Sequence, residues 1–336
     1  MSGGSPASPC CPIRRLGSCC WLPGPCSGRD VELGLGAFRV FLVAKSLCRV
    51  LTLVRLGLAM RMRRRTWYAK PGRMEQTRIL AIDWSGALHG AERHIWLAEA
   101  DDAGRLVRLE AGRDRKAMLE HLLDEFDRTP HSVVGFDFAF SFPAWFIRQL
   151  GLADVREVWA RVARDGEAWL ATCEPPFWGR HGRRRPELGG PAFRQLEFSL
   201  QSRGKSVFQI GGSGSVGTGS IRGMPVLAEI SRAGASIWPF DPPGWPRAVE
   251  IYPRLLTGPV VKSNPVARAA YLDRQTPGLD PIHRRLAVES EDAFDAAISA
   301  LVMAAHTTEL ASLEINTDPV VQLEGQIWQP ALAPQT

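Results

Sequence analysis

The chain has 336 residues, 45% of them hydrophobic and 23% charged, a balance that supports one large or two ordinary packed domains and excludes a chain without a core. Its 41 Lys and Arg against 35 Asp and Glu suggest a nucleic-acid binder, but residues 1–73 hold 13 of the bases and 2 of the acids, leaving 28 and 33 for the other 263 residues. The main body is therefore mildly acidic. Cysteine is skewed the same way, with Cys10, Cys11, Cys19, Cys20, Cys26 and Cys48 in the first segment and only Cys173 beyond it. That excludes a disulfide framework for the body and points to a reducing, cytoplasmic setting.

Residues 1–36 are rich in Gly, Pro, Ser and Cys, and the early cysteines lack the paired C-x-x-C spacing of a zinc module. Residues 37–60 are apolar but contain Arg39, Lys45, Arg49 and Arg55, which makes a membrane-spanning helix costly. A basic surface helix and an organellar transit peptide both fit this composition. Order of strand type begins just after Met74, so residues 1–73 read as a leader, with a start of translation expected at Met74 or Met60. No membrane segment is expected in residues 74–336.

From there "RILAIDWSG" (78–86) reads as a strand covered on both faces, followed by "RHIWLAEA" (93–100) and "RLVRLEA" (105–111) as antiparallel partners. Residues 113–128 place Met118, Leu119, Leu122, Leu123 and Phe126 on one helical stripe. "SVVGFDFAF" (132–140) is a second buried strand, and "FPAWFIRQLG" and "VREVWARVARDG" read as helices. Residues 166–206 read as a long loop; "KSVFQI" (205–210) is expected as a strand, then a Gly-rich turn and a short helix to about Ala233. "ASIWPF" and "RAVEIYP" (247–253) are further strands, 265–275 a helix, "SEDAFDAAISALVMAAH" (290–306) a helix closing the core, and "GQIWQPAL" an edge strand.

Four of these elements carry an acid inside an apolar run. Asp83 follows Ile79-Leu80-Ala81-Ile82, Asp137 follows Val133-Val134-Gly135-Phe136, Glu250 lies between Val249 and Ile251, and Asp295 shares a helical face with Ile298 and Val302. A buried carboxylate loses several kcal/mol of hydration unless something answers its charge, and a hard cation such as Mg²⁺ answers several at once. Each acid also has a structural alternative. Asp292 suits a helix N-terminus capped by Ser290, Asp83 and Asp137 suit strand-end turns, and Glu250 suits a buried ion pair with Arg247 or Arg254.

The Asp of "AIDWSG", the Asp of "VGFDFAF" and the D-x-x-D of "EDAFDAA" resemble the RNase H-like superfamily, the D-x-x-D helix being closest to RuvC-type resolvases. "VFQIGGSGSVGT", "IWPFD" and "VEIYP" resemble a bacterial family described as predicted RNase H-like nucleases. The resemblance spans about residues 77–310. It implies an α/β fold with a mixed five-stranded sheet of order 3-2-1-4-5, flanked by helices, with an insertion between strands 4 and 5 at about 151–246. It implies Asp83, Asp137, Asp292 and Asp295 as ligands of Mg²⁺ or Mn²⁺, and nucleic acid as partner and substrate. Many relatives carry Glu where this chain has the shorter Asp137, and Glu250 has no counterpart in the resolvase pattern; we include it among the catalytic candidates. The chemistry expected is phosphodiester hydrolysis with two cations about 3.5–4 Å apart, one activating water and one stabilising the leaving oxygen.

Gly212-Ser213-Gly214-Ser215-Val216-Gly217 also matches the G-x-G-x-x-G dinucleotide pattern, with Asp241 downstream. Three readings stand: a dinucleotide loop, a tight structural turn, and backbone amides at Gly212, Gly214 and Gly217 that cradle a nucleic-acid phosphate. An actin-like kinase and an inactive RNase H-like binding protein are the remaining alternatives. "RGKS" (203–206) fails as a P-loop because Ser199 stands where the first Gly is needed. The run "WGRHGRRRP" (178–186), with Arg183, Arg184 and Arg185, joins Lys205 as the dense cationic stretch of the body and reads as a phosphate-tracking arm or a solvated loop.

Overall fold

The computed structural model describes residues 77–198, 204–212 and 215–331. The expectations for residues 1–73 and for Gly214 lie outside them. In chain order the elements are β1 (Arg78–Asp83), β2 (Trp96–Ala100), β3 (Leu106–Glu110), α1 (Arg115–Arg128), β4 (Ser132–Phe136), α2 (Ala144–Gln149), α3 (Val155–Thr172), α4 (Val216–Arg232), β5 (Ser236–Ile237), β6 (Arg247–Glu250), α5 (Pro253–Thr257), α6 (Pro265–Gln275), α7 (Pro281–Glu289), α8 (Glu291–Ala305), α9 (Thr307–Ala311) and α10 (Val321–Glu324). Helix starts follow local chemistry. The side chains of Asp114, Asn264, Asp280 and Ser290 each accept a first-turn amide, and proline opens α6 and α7.

The strands form a six-stranded mixed sheet of order β3-β2-β1-β4-β6-β5. β1, β2 and β3 pair antiparallel, while β1, β4, β6 and β5 run parallel. The expected five-stranded sheet is thus corrected to six, because Ser236 and Ile237 pair outside β6 as a short edge strand. The "ASIWPF" strand ends there, since Pro239 has no amide to donate. "KSVFQI" is not a strand. It turns back on itself, with Gln209 N donating to Ser206 O, and buries Val207, Phe208 and Ile210. Phe208 stacks on Phe142 at 5.9 Å, so its apolar run fills an aromatic cluster instead of pairing in the sheet. The "GQIWQPAL" segment contributes a single bridge from Ile327 to Glu250.

Period-two alternation sends the strand side chains to two cores. Leu80, Ile82, Val134, Phe136 and Ala248 pack with Met118 and Phe126 of α1, Trp159 of α3 and Met224 of α4. Ile79, Ala81, Val133 and Val249 face Leu272 of α6, Ala287 of α7 and Phe294, Ile298 and Met303 of α8. Gly135 lets α8 come this close: a Cβ there would lie 2.6 Å from Met303 Sδ. Among the described residues no helix is long and apolar enough to cross a membrane.

Candidate metal centre

Register decides which acids can meet. In parallel strands directly paired residues point to the same face, and Ile82, Phe136 and Glu250 are paired across β1, β4 and β6. Asp83 and Asp137 each come one residue later and so turn to the opposite face, the one covered by α8. Asp137 is tied there by its backbone, N donating to Ile82 O at 3.1 Å. The Ser290 cap starts α8 so that Asp292 falls in its first turn and Asp295, 6% exposed, follows one turn later.

Burial and neighbouring charge raise three of these carboxyls. Burial, then Asp137, Asp295 and Asp292, push the Asp83 carboxyl well above the usual range, against the pull of Lys262. Burial and the charges of Asp295, Glu250 and Asp292 raise Asp137 to about 8, with Lys262 again opposing. Asp295 is raised to about 6 by burial, moderated by its ion pair with Lys262. Asp83 and Asp137 are each half-buried, so the surrounding protein and the neighbouring charges act together. Asp292 is half-buried, and its Oδ2 lies 3.2 Å from His94 Nδ1.

Lys262 is the residue that sequence reasoning missed. Its Nζ pairs with Asp295 Oδ2, while Asp295 Oδ1 is buried without a hydrogen-bond partner. The lysine comes from the α5–α6 loop, where no periodic pattern marks it.

Glu250, a catalytic candidate on sequence, is held in a buried ion pair, although it also lines the cavity beside Asp137. It points to the other face of the sheet, where Arg194 Nη1 donates to its Oε2 at 2.8 Å, Arg194 Nη2 donates to Oε1 and Phe140 N donates to Oε2 at 3.0 Å. A buried ion pair was one of the readings open for Glu250, but its partner is Arg194. Arg247 instead donates to Leu310 O and Ala311 O, and Arg254 to Val260 O.

A cavity of about 250 Å³ opens beside Asp137, lined among others by Trp84, Lys205, Ser215, Gly219 and Tyr252. Trp84 Nε1 is buried without an acceptor, and the Ser215 side chain makes no cap bond at the start of α4. The Gly-rich stretch enters α4 from a turn, so the strand that a dinucleotide fingerprint requires is missing among the described residues. Contrary to expectation, α4 is not short; it runs 17 residues through Gly223 and Pro225. The Gly217 amide donates to Gln209 O, and a Cβ there would lie 2.1 Å from Val207 O. Gly217 therefore serves packing, and its amide is not open to a phosphate; Gly212, at φ 80, takes the left-handed turn into this stretch. Asp241 is ion-paired with Arg156 and accepts Ile237 N.

In the basic run, Arg183 pairs with Glu174, Arg185 lies 5.5 Å over the Trp178 ring, and Arg184 is exposed. Arg180 donates inward, to Ile210 O and Leu170 O.

Among the described residues no group of three His, Cys, Asp or Glu side chains is arranged to hold an ion as it stands. The donor chemistry nevertheless fits a hard divalent cation. The donors are carboxylate oxygens, their mutual repulsion calls for a positive charge, Asp295 Oδ1 lacks a partner, and an ammonium already stands in for part of that charge. Closing on one ion requires the carboxylates to draw together. Comparison with family models, curated proteins and solved structures finds no match for the chain.

Proposed function

We propose that this chain hydrolyses phosphodiester bonds in nucleic acid with Mg²⁺ or Mn²⁺, on an RNase H-like frame. One observation carries the reading: Asp83 and Asp137, from adjacent parallel strands, meet Asp295 and Asp292 of a covering helix closely enough that both strand acids are raised by the charges of the helix acids. These four side chains would hold the cation. A divalent cation, when bound, lowers the pKa of water and offsets charge on the phosphate. The antiparallel β3-β2-β1 arm followed by parallel β4, with acids on β1 and β4, supports the RNase H-like assignment.

The protein's own groups do the rest. Lys205, exposed at the rim, and the positive end of α4 offer positive potential to a phosphate next to Asp137. Arg184 extends that potential along the surface. A reducing, cytoplasmic setting fits the free, buried Cys173. The test is a cleavage panel of single-stranded, duplex, hybrid and branched substrates in Mg²⁺, Mn²⁺ and EDTA. Cleavage of at least one substrate, dependent on metal and lost in Asp137→Asn, is expected; a panel untouched by the full chain in both metals would overturn the proposal.

A further inference from the structure

Lys262 is held among the acids by construction. Its side chain is only 16% exposed, although lysines ordinarily keep their ammonium in water. Arg268, 5% exposed, donates to the Lys262 carbonyl through Nη1. The same guanidinium donates to the Val288 carbonyl through Nε at 3.1 Å and through Nη2. Val288 lies two residues before Ser290, the cap of α8. One buried side chain thus ties the Lys262 loop to the start of the helix that presents Asp292 and Asp295. The Lys262 ammonium pairs with Asp295 and also feels Asp137 and Asp83.

We propose that Lys262 is a resident cation that takes the place of a second divalent ion, so that the centre loads one ion and presents the ammonium to the phosphate beside it. The proposal rests on the metal-dependent reading above and revises its two-ion form. An acid quartet of this kind ordinarily offers ligands for two ions. Here a second ion would meet a like charge at close range and would lose Asp295 Oδ2, which the ammonium already holds.

Calorimetric titration of the full chain with Mn²⁺ tests this, using wild type, Lys262→Met and Lys262→Arg. Wild type should bind one ion per chain. Lys262→Met should bind two, the first about tenfold tighter or more, because a competing charge is gone. Its cleavage rate should nevertheless fall, which a merely structural lysine would not produce together with tighter binding. Lys262→Arg should keep the single ion. Two ions bound by wild type would overturn the proposal while leaving the metal centre standing, and this outcome is readable even if Lys262→Met fails to fold. A Lys262→Met protein equal to wild type in number and affinity would also overturn it. No Mn²⁺ bound by any of the three would overturn both the resident cation and the metal-dependent reading.

Discussion

At the scale of single residues, the acids divide by the charge each one faces. Asp137 and Asp295 titrate near 8 and 6 in the fold, against about 3.9 in an unfolded chain. Between about pH 4 and 8 the folded protein therefore holds more protons than the unfolded one, and metal-free stability falls as pH rises through that window. His121, whose pKa burial lowers, works the other way. The clean readout is therefore the difference between wild type and Asp137→Asn in EDTA. The variant should gain on wild type from pH 5.5 to 8.5, by an amount on the order of several kcal/mol at the upper end. A constant gap across that range, measured by denaturant melts, would contradict it. Glu250→Gln should behave differently. It leaves Arg194 short of a buried counter-charge, so it should lower stability by about 3 kcal/mol with and without Mn²⁺ and weaken Mn²⁺ binding much less than Asp137→Asn does; calorimetry and melts together check this. Asp83, Asp137 and Asp295 were legible because each breaks an apolar run, and Asp292 through the D-x-x-D spacing it shares with Asp295. Counting parity along "VEIYP" against "VGFDF" could also have separated Glu250, once the register of β4 and β6 was known. Lys262 was not legible, because a loop lysine ordinarily reads as solvated.

Among the elements, those with long, regular apolar patterns were read correctly: β1, β4, α1 and α8 each bury a continuous face. The stretch from 205 to 232 was misread for two physical reasons. Its apolar run fills an aromatic cluster without pairing, and α4 tolerates Gly217, Gly219, Gly223 and Pro225 because packing on α3 and β4's following loop outweighs poor helix propensity. Phe138 shows this, its ring lying where a Cβ on Gly223 would be, 2.7 Å away. Two neighbouring glycines should therefore respond oppositely. Gly217→Ala drives a methyl into the Val207 carbonyl and should destabilise by about 1–3 kcal/mol. Gly219→Ala meets atoms no nearer than 3.9 Å and should stabilise by up to about 1 kcal/mol through helix propensity. Urea melts of the two variants decide it; equal destabilisation would mean that the start of α4 packs differently.

For the whole molecule, net basicity is a poor guide to partners, since the excess sits in residues 1–73. Within the body, attraction to nucleic acid depends on local patches. Arg183 and Arg185 already have Glu174 and Trp178, so Arg184 should carry most of the run's contribution. Arg184→Ala should reduce the slope of log binding constant against log salt by up to about 0.9 on duplex DNA, and an unchanged slope would make the run an ordinary solvated loop. The fold places two carboxylates at the ends of its central strands β1 and β4 and two more on α8, with Lys262 beside them, and a divalent cation would complete that balance. Thermal melts of wild type and Asp83→Asn, each in EDTA and in Mn²⁺, test this most directly. Wild type should gain melting temperature with Mn²⁺, because an ion bound only by the folded state adds stability by mass action. Asp83→Asn should melt no lower than wild type in EDTA and lose most of the gain in Mn²⁺. A wild type indifferent to Mn²⁺, with Asp83→Asn destabilised in EDTA, would contradict the metal centre.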